Sequence, residues 1–288
     1  MIGVFDSGIG GLSVLKALRA ALPQQAFIYV ADSAHAPYGE RDERYVLARS
    51  RIIGAYLAEQ HIDALVVACN TATAVAVHEL RAMYPALPVV GLEPALKPAA
   101  AFSRTGHVGV MATRATLSST KFRALHAALT GRARFTLQAC DGLAAAIERA
   151  GSCADADEAI RSLCARHVSA MGTFGSAAGE IDTLVLGCTH YPLVTGEIRA
   201  LVGDGVRLLD TGEAVARQTA RLLAASARPA AASGEFSGVL QGEHNVGTAP
   251  AASPSGFVTL LTTGQADVLA RAASRWLGLA STAAQMAI

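Results

Sequence analysis

Two cysteines stand in segments of similar sequence, and their positions indicate thiol chemistry. Cys69 follows the apolar run 64–68, and Cys188 follows a second apolar run at 183–187. A small residue precedes each cysteine, and polar residues able to cap a helix follow it. A thiol at a helix N-terminus lies at the positive end of the helix dipole and near free backbone N–H groups, which lower its pKa. We therefore expect both cysteines to supply thiolate near neutral pH.

The symmetry of this pair favours one kind of reaction. A single cysteine beside a histidine is typical of covalent catalysis, whereas two equivalent cysteines on opposite lobes favour proton transfer on two faces of one substrate. One thiolate would remove a proton and the other thiol would return one from the far side, which inverts a carbon centre. His190, two residues after Cys188, is either a structural histidine or an acid–base partner of that thiol.

The remaining cysteines of the five are interpreted as packing residues. None of Cys140, Cys153 and Cys164 stands at a strand-to-helix turn, so we expect each to behave as a small buried hydrophobe. An odd number of widely spaced cysteines argues against a disulfide framework, and no CxxC pair indicates a zinc site. The sequence predicts no metal.

A glycine-rich strand-to-helix turn over residues 5–13 has two interpretations. It approximates a dinucleotide-binding fingerprint, and Asp32 ends the second strand about where a ribose-binding acid would lie. However, Ser13 takes the third glycine position, and Asp6 at the mouth of the turn would repel a pyrophosphate. Alternatively, the backbone N–H groups of the turn bind a small carboxylate while Asp6 binds an ammonium group or a thiol proton.

Charge and hydropathy exclude two classes of partner. The 288 residues contain 24 Lys plus Arg and 23 Asp plus Glu, a net charge of +1. That balance supplies no basic field for nucleic acid or for anionic lipid. No secretion signal opens the chain, and no uncharged apolar run reaches the roughly 18 residues of a membrane span. We expect a soluble cytoplasmic protein that binds neither nucleic acid nor membrane.

Short apolar runs alternate with helical patterns along the first hundred residues, which predicts a parallel sheet covered by helices. Two prolines, Pro94 and Pro98, favour an extended or turn conformation and indicate a boundary. The predicted strands are 2–5, 27–31, 64–68 and 89–92, and the predicted helices are 12–22, 43–60 and 72–83.

The alternation restarts after this boundary. The predicted strands are 107–111, 135–139, 183–186 and 206–209, and the predicted helices are 113–129, 141–150, 155–171 and 212–225. Residues 226–256 are rich in Ala, Ser, Gly and Pro and predict a loop, before a strand at 257–261 and a helix near 266–277. The sequence thus indicates an α/β protein with two related lobes, each presenting one cysteine at the carboxyl end of a strand, where open sheets bind ligands.

Four motifs follow one another from end to end of the chain. They are Asp6-Ser7-Gly8 with Gly10-Gly11, Pro37-Tyr38-Gly39, Ala68-Cys69-Asn70-Thr71-Ala72 and Leu186-Gly187-Cys188-Thr189-His190-Tyr191-Pro192-Leu193. In this order they resemble bacterial glutamate racemase, and two further segments, at 91–95 and 210–213, are similar to the family as well.

The resemblance implies a fold and an activity. The family consists of cofactor-independent enzymes that interconvert L- and D-glutamate and supply D-glutamate for peptidoglycan. It implies two Rossmann-like lobes with parallel sheets related by pseudo-two-fold symmetry, the active site between them, and often a homodimer. The C-terminal segment returns to the first lobe, so residues 1–94 plus 207–288 would form one lobe and 95–206 the other. Some relatives are activated by a cell-wall precursor through an N-terminal extension, which we do not expect here.

The resemblance also implies residue roles. Cys69 and Cys188 would be the acid/base pair, with Asp6 assisting the first and His190 the second. Thr113 and Thr116 are weaker candidates, and Glu148 takes the place of a family acid near the second cysteine, although residues 141–148 depart from the usual proline-rich sequence. The expected substrate contacts are Asp6, Ser7, Tyr38, Gly39, Asn70, Thr71, Thr189 and His190.

Three other functions compete with this interpretation. A two-cysteine racemase or isomerase of the same superfamily would act on aspartate or a related acid, and a substrate panel separates it from a glutamate enzyme. A dinucleotide-binding protein would use the turn at 5–13 and bind NAD without either cysteine. A racemase-like chain that serves mainly to bind another protein is the third alternative, but no sequence feature supports a partner site.

Overall fold

The computed structural model describes residues 1–150, 156–226 and 256–288, along which strands and helices alternate. Cys153 and all but the two ends of the predicted loop at 226–256 lie outside these ranges. The strands are β1 (Ile2–Asp6), β2 (Phe27–Ala31), β3 (Ala64–Val67), β4 (Val89–Gly91), β5 (His107–Ala112), β6 (Arg134–Ala139), β7 (Thr183–Leu186), β8 (Arg207–Leu209), β9 (Val258–Thr262) and β10 (Ala283–Gln285). The helices are α1 (Leu12–Ala21), α2 (Glu43–Glu59), α3 (Asn70–Met83), α4 (Leu96–Phe102), α5 (Arg114–Ser118), α6 (Thr120–Ala127), α7 (Leu143–Ala150), α8 (Ala156–Ser169), α9 (Thr195–Val202), α10 (Gly212–Ser226) and α11 (Ala266–Leu277).

The first sheet has six parallel strands in the order β10-β9-β2-β1-β3-β4. Its central strands are buried along their whole length, which explains their continuous apolar sequence. Alternate side chains enter two separate cores: Val4 and Leu15 belong to one, and Phe5 and Ile53 to the other. The sheet is therefore covered on both faces, as the sequence pattern predicts.

The second sheet has four parallel strands in the order β6-β5-β7-β8. This order repeats that of β2-β1-β3-β4 in the first sheet, so β7 is the counterpart of β3. Cys69 follows β3 by two residues, and Cys188 follows β7 by two residues. The predicted pair of related α/β lobes is confirmed, and equivalent strand ends carry the two thiols.

The C-terminal segment extends the first sheet. Strand β9 pairs with β2, so that Val258 lies beside Phe27, and β10 pairs with β9. Helix α11 begins at Ala266 and ends at Leu277, as predicted, and its Leu269 and Ala272 enter the first core. The short strand β10 has no counterpart in the sequence prediction.

Strand β8 lies in the second sheet, although the predicted division assigns residues 207–288 to the first lobe. Arg207 pairs with Thr183 and Leu209 with Val185 of β7. Leu209 also packs against the core of the second lobe, which fixes the strand there. The return to the first lobe therefore begins after residue 209.

Two predicted elements differ for local reasons. The helix expected over 113–129 is broken at Ser119, whose Oγ accepts from the Phe122 N–H group (3.2 Å) and so caps α6. Pro98, expected to be extended, lies inside α4, in the first turn, where its missing N–H group leaves no hydrogen bond unmade. Neither change moves a predicted site residue.

Candidate active site

Cys69 is held at the start of α3 by the end of β3. Its Sγ accepts from the Ala72 N–H group at 3.5 Å, so the cysteine is itself the N-cap, and Ser7 Oγ lies 3.9 Å from the sulfur. Burial raises the pKa of this thiol well above its usual range, and the negative charge of Asp6 raises it further. The expected lowering of the pKa is wrong for Cys69 because the loss of hydration outweighs the helix N-terminus.

Asp6 ends β1 and is completely buried beside Cys69. Its Oδ2 accepts from the Gly11 N–H group at 2.7 Å, while Oδ1 has no hydrogen-bond partner among the described residues. Burial raises the pKa of Asp6 from 3.8 to about 6, against the lowering effect of His190. The carboxyl group is therefore mostly ionised at neutral pH and can accept a proton from the thiol.

Cys188 has a different partner. Its Sγ lies 3.6 Å from His190 Nδ1, and His190 Nε2 lies 2.6 Å from Glu148 Oε1. Burial lowers the pKa of His190, but its hydrogen bonds to Cys188 and Glu148 outweigh that effect and hold the pKa well above the usual range. A protonated imidazole donates from Nε2 to the carboxylate and presents positive charge to the sulfur.

Glu148 reaches this position from α7 in the second lobe. Its Oε1 also accepts from the Ile9 N–H group at 2.7 Å, in the glycine-rich turn of the first lobe. The carboxylate thus joins His190 to the other lobe, even though residues 141–148 depart from the usual sequence of the family. The sequence signal for Glu148 was its place in the family, since its charged neighbour Arg149 makes this part of α7 read as an ordinary exposed helix end.

The glycine-rich turn packs against the second lobe, and these contacts form the junction between the two lobes. A Cβ atom on Gly8 would stand 1.8 Å from Glu148 Oε1, and one on Gly10 would stand 2.4 Å from His190 Nδ1. Ser13 Oγ donates across the same junction to the Thr189 carbonyl at 2.8 Å. The glycines are therefore needed for close approach by protein groups, and two N–H groups of the turn already bind the Asp6 and Glu148 carboxylates.

Asp32 is not placed to bind a ribose. It is completely buried, and Arg49 donates to both its oxygens, at 2.9 Å from Nε and 2.8 Å from Nη2. The Tyr38 hydroxyl (2.5 Å) and Thr263 Oγ1 (2.9 Å) complete its hydrogen bonds. With the turn occupied as well, the dinucleotide interpretation is wrong for this site.

Tyr38 and Gly39 line the junction in different ways. The Tyr38 hydroxyl donates to Asp32, so only the rest of that buried residue can face a ligand. A Cβ atom on Gly39 would stand 2.9 Å from the Cβ of Thr113 in the other lobe. Loop 37–39 therefore contacts the second lobe directly.

The remaining predicted polar residues meet at the same junction. Asn70 and Thr71 begin α3, and Thr71 Oγ1 lies 3.4 Å from Thr113 Oγ1 of the second lobe. Thr113 Oγ1 in turn donates to Thr116 Oγ1 at 2.9 Å. Asn70 Oδ1 is buried without a hydrogen-bond partner in the described part of the chain. Thr189 is buried between Cys188 and His190, and its carbonyl accepts from Ser13 Oγ of the first lobe.

Sequence reasoning missed Arg49 and Tyr29. Arg49 lies on the buried face of α2 with Val46 and Ile53. A charged residue at the helical spacing of apolar ones indicates a buried ion pair, and this was the signal available in the sequence. Tyr29 lies inside β2, where an aromatic residue is ordinary core, so nothing in the sequence distinguishes it.

The described residues contain neither a metal-binding cluster nor a membrane-spanning helix. No group of three or more His, Cys, Asp or Glu side chains there is arranged to hold a metal ion. Nor does any helix within these residues have both the length and the apolar character needed to cross a membrane.

Two parallel-sheet lobes that each bring one buried thiol to their junction define a two-lobed α/β racemase. The chain belongs to the Asp/Glu/Hydantoin racemase family, whose sequence profile matches residues 3–219, and it is therefore an isomerase. Glutamate racemase of Stutzerimonas stutzeri (strain A1501) is 48% identical over 223 residues, covering 77% of this chain and 81% of the relative.

Solved structures agree with this membership. Escherichia coli glutamate racemase, in complex with L-glutamate and the activator UDP-MurNAc-ala, has a TM-score of 0.78 and 30% identity, covering 99% of this chain and 97% of that one. Glutamate racemase isoform RacE1 from Bacillus anthracis has a TM-score of 0.77 and 26% identity, covering 100% of this chain and 97% of that one. The α/β fold with two parallel sheets is common to all three.

Proposed function

We propose that this protein is a glutamate racemase that moves protons between the substrate α-carbon and two thiols, Cys69 and Cys188, without a cofactor. The observation that carries the proposal is the pair of buried thiols, each with its own acid–base partner: Asp6 beside Cys69, and His190 with Glu148 beside Cys188. The names of the similar proteins support glutamate as the substrate.

The polar groups of the junction suit an amino acid with two carboxylates. Asp6 Oδ1 and Asn70 Oδ1 are buried acceptors without a partner among the described residues, which favours a ligand that brings hydrogen-bond donors such as an ammonium group. The N-terminus of α3 and the hydroxyls of Ser7, Thr71 and Thr189 supply donors for carboxylates without a high positive charge.

In the proposed reaction, the substrate loses one proton to one cysteine and gains one proton from the other. One cysteine, as thiolate, takes the α-proton, and the other, as thiol, gives a proton to the opposite face of the carbon. Before the first step, Asp6 accepts the proton of Cys69, or His190 Nδ1 accepts the proton of Cys188 and the resulting imidazolium pairs with the thiolate. Each turnover leaves the two sulfurs with exchanged protonation states.

The difficult step is removal of a proton far less acidic than a thiol. The carbanion-like transition state therefore needs hydrogen-bond donors that are already oriented in a site shielded from water. The thiols, Asp6 and His190 are all at least nine-tenths buried, which supports such a site. We further propose that the enzyme acts in the cytoplasm, as a homodimer, to supply D-glutamate for peptidoglycan; the resemblance to the family supports these points.

The test is chiral analysis of L-glutamate, D-glutamate and both aspartate enantiomers incubated with the purified chain, without added cofactor. We expect each glutamate enantiomer to yield the other, aspartate to react far more slowly, and Cys69→Ser and Cys188→Ser to abolish racemisation. Cys164→Ser, at a buried cysteine in the core of the second lobe, is the matched control and should keep activity. Racemisation of aspartate alone, or an active double-serine variant, would contradict the proposal.

A further inference from the structure

Tyr29 lies directly beneath the glycine-rich turn. Its side chain is completely buried in β2, and its hydroxyl donates to the Gly8 carbonyl at 2.6 Å. A Cβ atom on Gly11 would stand 2.9 Å from the same hydroxyl oxygen. The Tyr29 hydroxyl therefore contacts the turn at Gly8 and at Gly11. It makes no hydrogen bond to either thiol.

The Gly8 carbonyl and the Ile9 N–H group belong to one peptide group, and both ends of that group are bound. The carbonyl accepts from Tyr29, and the N–H group donates to Glu148 Oε1 at 2.7 Å. Glu148 Oε1 also lies 2.6 Å from His190 Nε2, whose other nitrogen lies 3.6 Å from Cys188 Sγ. A continuous line of hydrogen bonds thus runs from the core of the first lobe to the thiol of the second.

Within the turn, the Leu12 N–H group donates to the Ile9 carbonyl at 3.1 Å, one residue beyond this peptide group. Glycines stand at positions 8, 10 and 11, and glycine permits many backbone conformations. A hydrogen bond to the carbonyl fixes the peptide plane, and hydrogen bonds in a chain polarise one another, which strengthens the N–H group as a donor.

We propose that Tyr29 is a positioning residue for the Cys188 half of the site: its phenol orients the Gly8–Ile9 peptide so that the Ile9 N–H group holds Glu148 against His190. This inference rests on the proposed racemase function but assigns Tyr29 no contact with substrate. Burial raises the pKa of the phenol well above its usual range, and the charges of Asp6 and Glu148 raise it further, so the hydroxyl remains a donor.

The variant Tyr29→Phe removes only the hydroxyl, and Thr219→Val is its matched control. Thr219 is completely buried in α10, and its hydroxyl donates to the Val215 carbonyl at 2.8 Å, outside the line of hydrogen bonds that leads to Cys188. Both variants lose one buried hydroxyl-to-carbonyl bond and should lose similar thermal stability. We expect kcat to fall about tenfold or more in Tyr29→Phe, with KM within about twofold, and to stay near the wild-type value in Thr219→Val.

Two readouts separate positioning from a structural role. The His190 imidazole, followed by NMR, should titrate at a lower pH in Tyr29→Phe because its contact with Glu148 weakens, and this readout does not depend on turnover. The α-deuterium isotope effect should rise only for the enantiomer that Cys188 deprotonates, since one half of the acid–base pair is impaired.

Wild-type kcat and an unshifted His190 titration in Tyr29→Phe would overturn the inference, as would equal changes in Thr219→Val. An inactive wild type would refute the proposed function instead, and in that case the His190 titration still decides the structural part of the inference.

Discussion

The two thiols are chemically unequal although the strands that carry them are equivalent. Cys69 caps a helix and has a carboxylate neighbour, whereas Cys188 precedes a 3₁₀ turn at Tyr191–Val194 and has an imidazole neighbour. In the proposed mechanism, Asp6 accepts a proton and His190 supplies positive charge. The pseudo-symmetric fold therefore holds an asymmetric acid–base pair, which suits a reaction that treats two mirror-image substrates.

Replacing Glu148 with Gln tests the charge on the His190 side. The amide keeps an acceptor for the Ile9 N–H group but removes the negative charge, so we expect the pKa of His190 to fall and kcat to drop about 10- to 100-fold. Glu158→Gln, at an exposed glutamate that pairs with Arg161, is the control and should change neither value. Unchanged kcat in Glu148→Gln would show that the carboxylate only links the lobes.

The pKa of Asp6 predicts how activity depends on pH. Burial raises it from 3.8 to about 6, and the carboxylate is the form that accepts the thiol proton. We therefore expect kcat/KM to rise with pH, to pass its half-maximal value near pH 6, and to level off above that pH. A profile that stays flat between pH 5 and about 7 would contradict this role for Asp6.

The same shift predicts how stability depends on pH. Because the pKa of Asp6 is higher in the folded state, the folded state binds this proton more tightly, and stability falls as the pH rises from about 4 to about 6. The burial of the carboxylate then costs roughly 3 kcal/mol, at about 1.4 kcal/mol per pKa unit. In urea titrations Asp6→Asn should lack this component; an identical pH dependence in both proteins would contradict the argument.

The sequence located both thiols and their neighbours because the chemistry lies in short motifs. It gave the wrong direction for the pKa of Cys69, since the local pattern reveals a helix N-terminus but not the depth of burial. It left the role of Glu148 open because the partner atoms, on Ile9 and His190, lie 139 and 42 residues away.

At the scale of elements, the turn between β1 and α1 is where the two halves of the site meet. A Cβ atom on Gly8 would stand 1.8 Å from Glu148 Oε1, the flexible end of a side chain that can retreat. We therefore expect Gly8→Ala to reduce kcat about 10- to 100-fold at a cost of about 1 kcal/mol or less in stability. Gly196→Ala in α9, where a Cβ atom meets nothing within 4 Å, is the matched control. Wild-type kcat in Gly8→Ala would contradict the docking role of the turn.

Helix α2 holds loop 37–39 through Arg49 and Asp32. Arg49→Met leaves the completely buried Asp32 carboxylate without its cation, so we expect a loss of about 3 to 5 kcal/mol in the free energy of unfolding. Arg51→Met on the same helix breaks an exposed ion pair with Glu79 and should cost about 1 kcal/mol or less. Similar losses from the two variants in urea unfolding would contradict the structural role of Arg49.

The bounds of most elements could be predicted because apolar strands and helical faces repeat with clear periods. Helices α4 and α9 had no predicted counterpart, and two further exceptions have local causes. Ser119 caps a new helix in the middle of a helical pattern, and β10 is a short edge strand with little apolar sequence. Such features depend on packing against the rest of the sheet, which a local pattern does not record.

At the scale of the molecule, polar contacts between the lobes complete the site. Ile9 donates to Glu148, Ser13 donates to Thr189, and Thr71 contacts Thr113. Separating the lobes would remove the first-lobe donor from the Glu148–His190 pair, so the Cys188 half is complete only when the lobes meet. The repeated strand–cysteine segments predicted two related lobes, but not contacts that join residues 139 and 176 positions apart.

The central claim is that two different thiols serve the two faces of the α-carbon, and deuterium incorporation tests it most directly. L-glutamate and, separately, D-glutamate are incubated with the wild-type enzyme in D2O to low conversion, and the α-position of substrate and product is read by NMR and chiral separation. The account predicts deuterium in the product enantiomer and hardly any in the recovered substrate, because the group that removes the proton is not the group that returns one. Equal deuterium in recovered substrate and product would show that a single base serves both faces and would contradict the assignment of Cys69 and Cys188 as a pair.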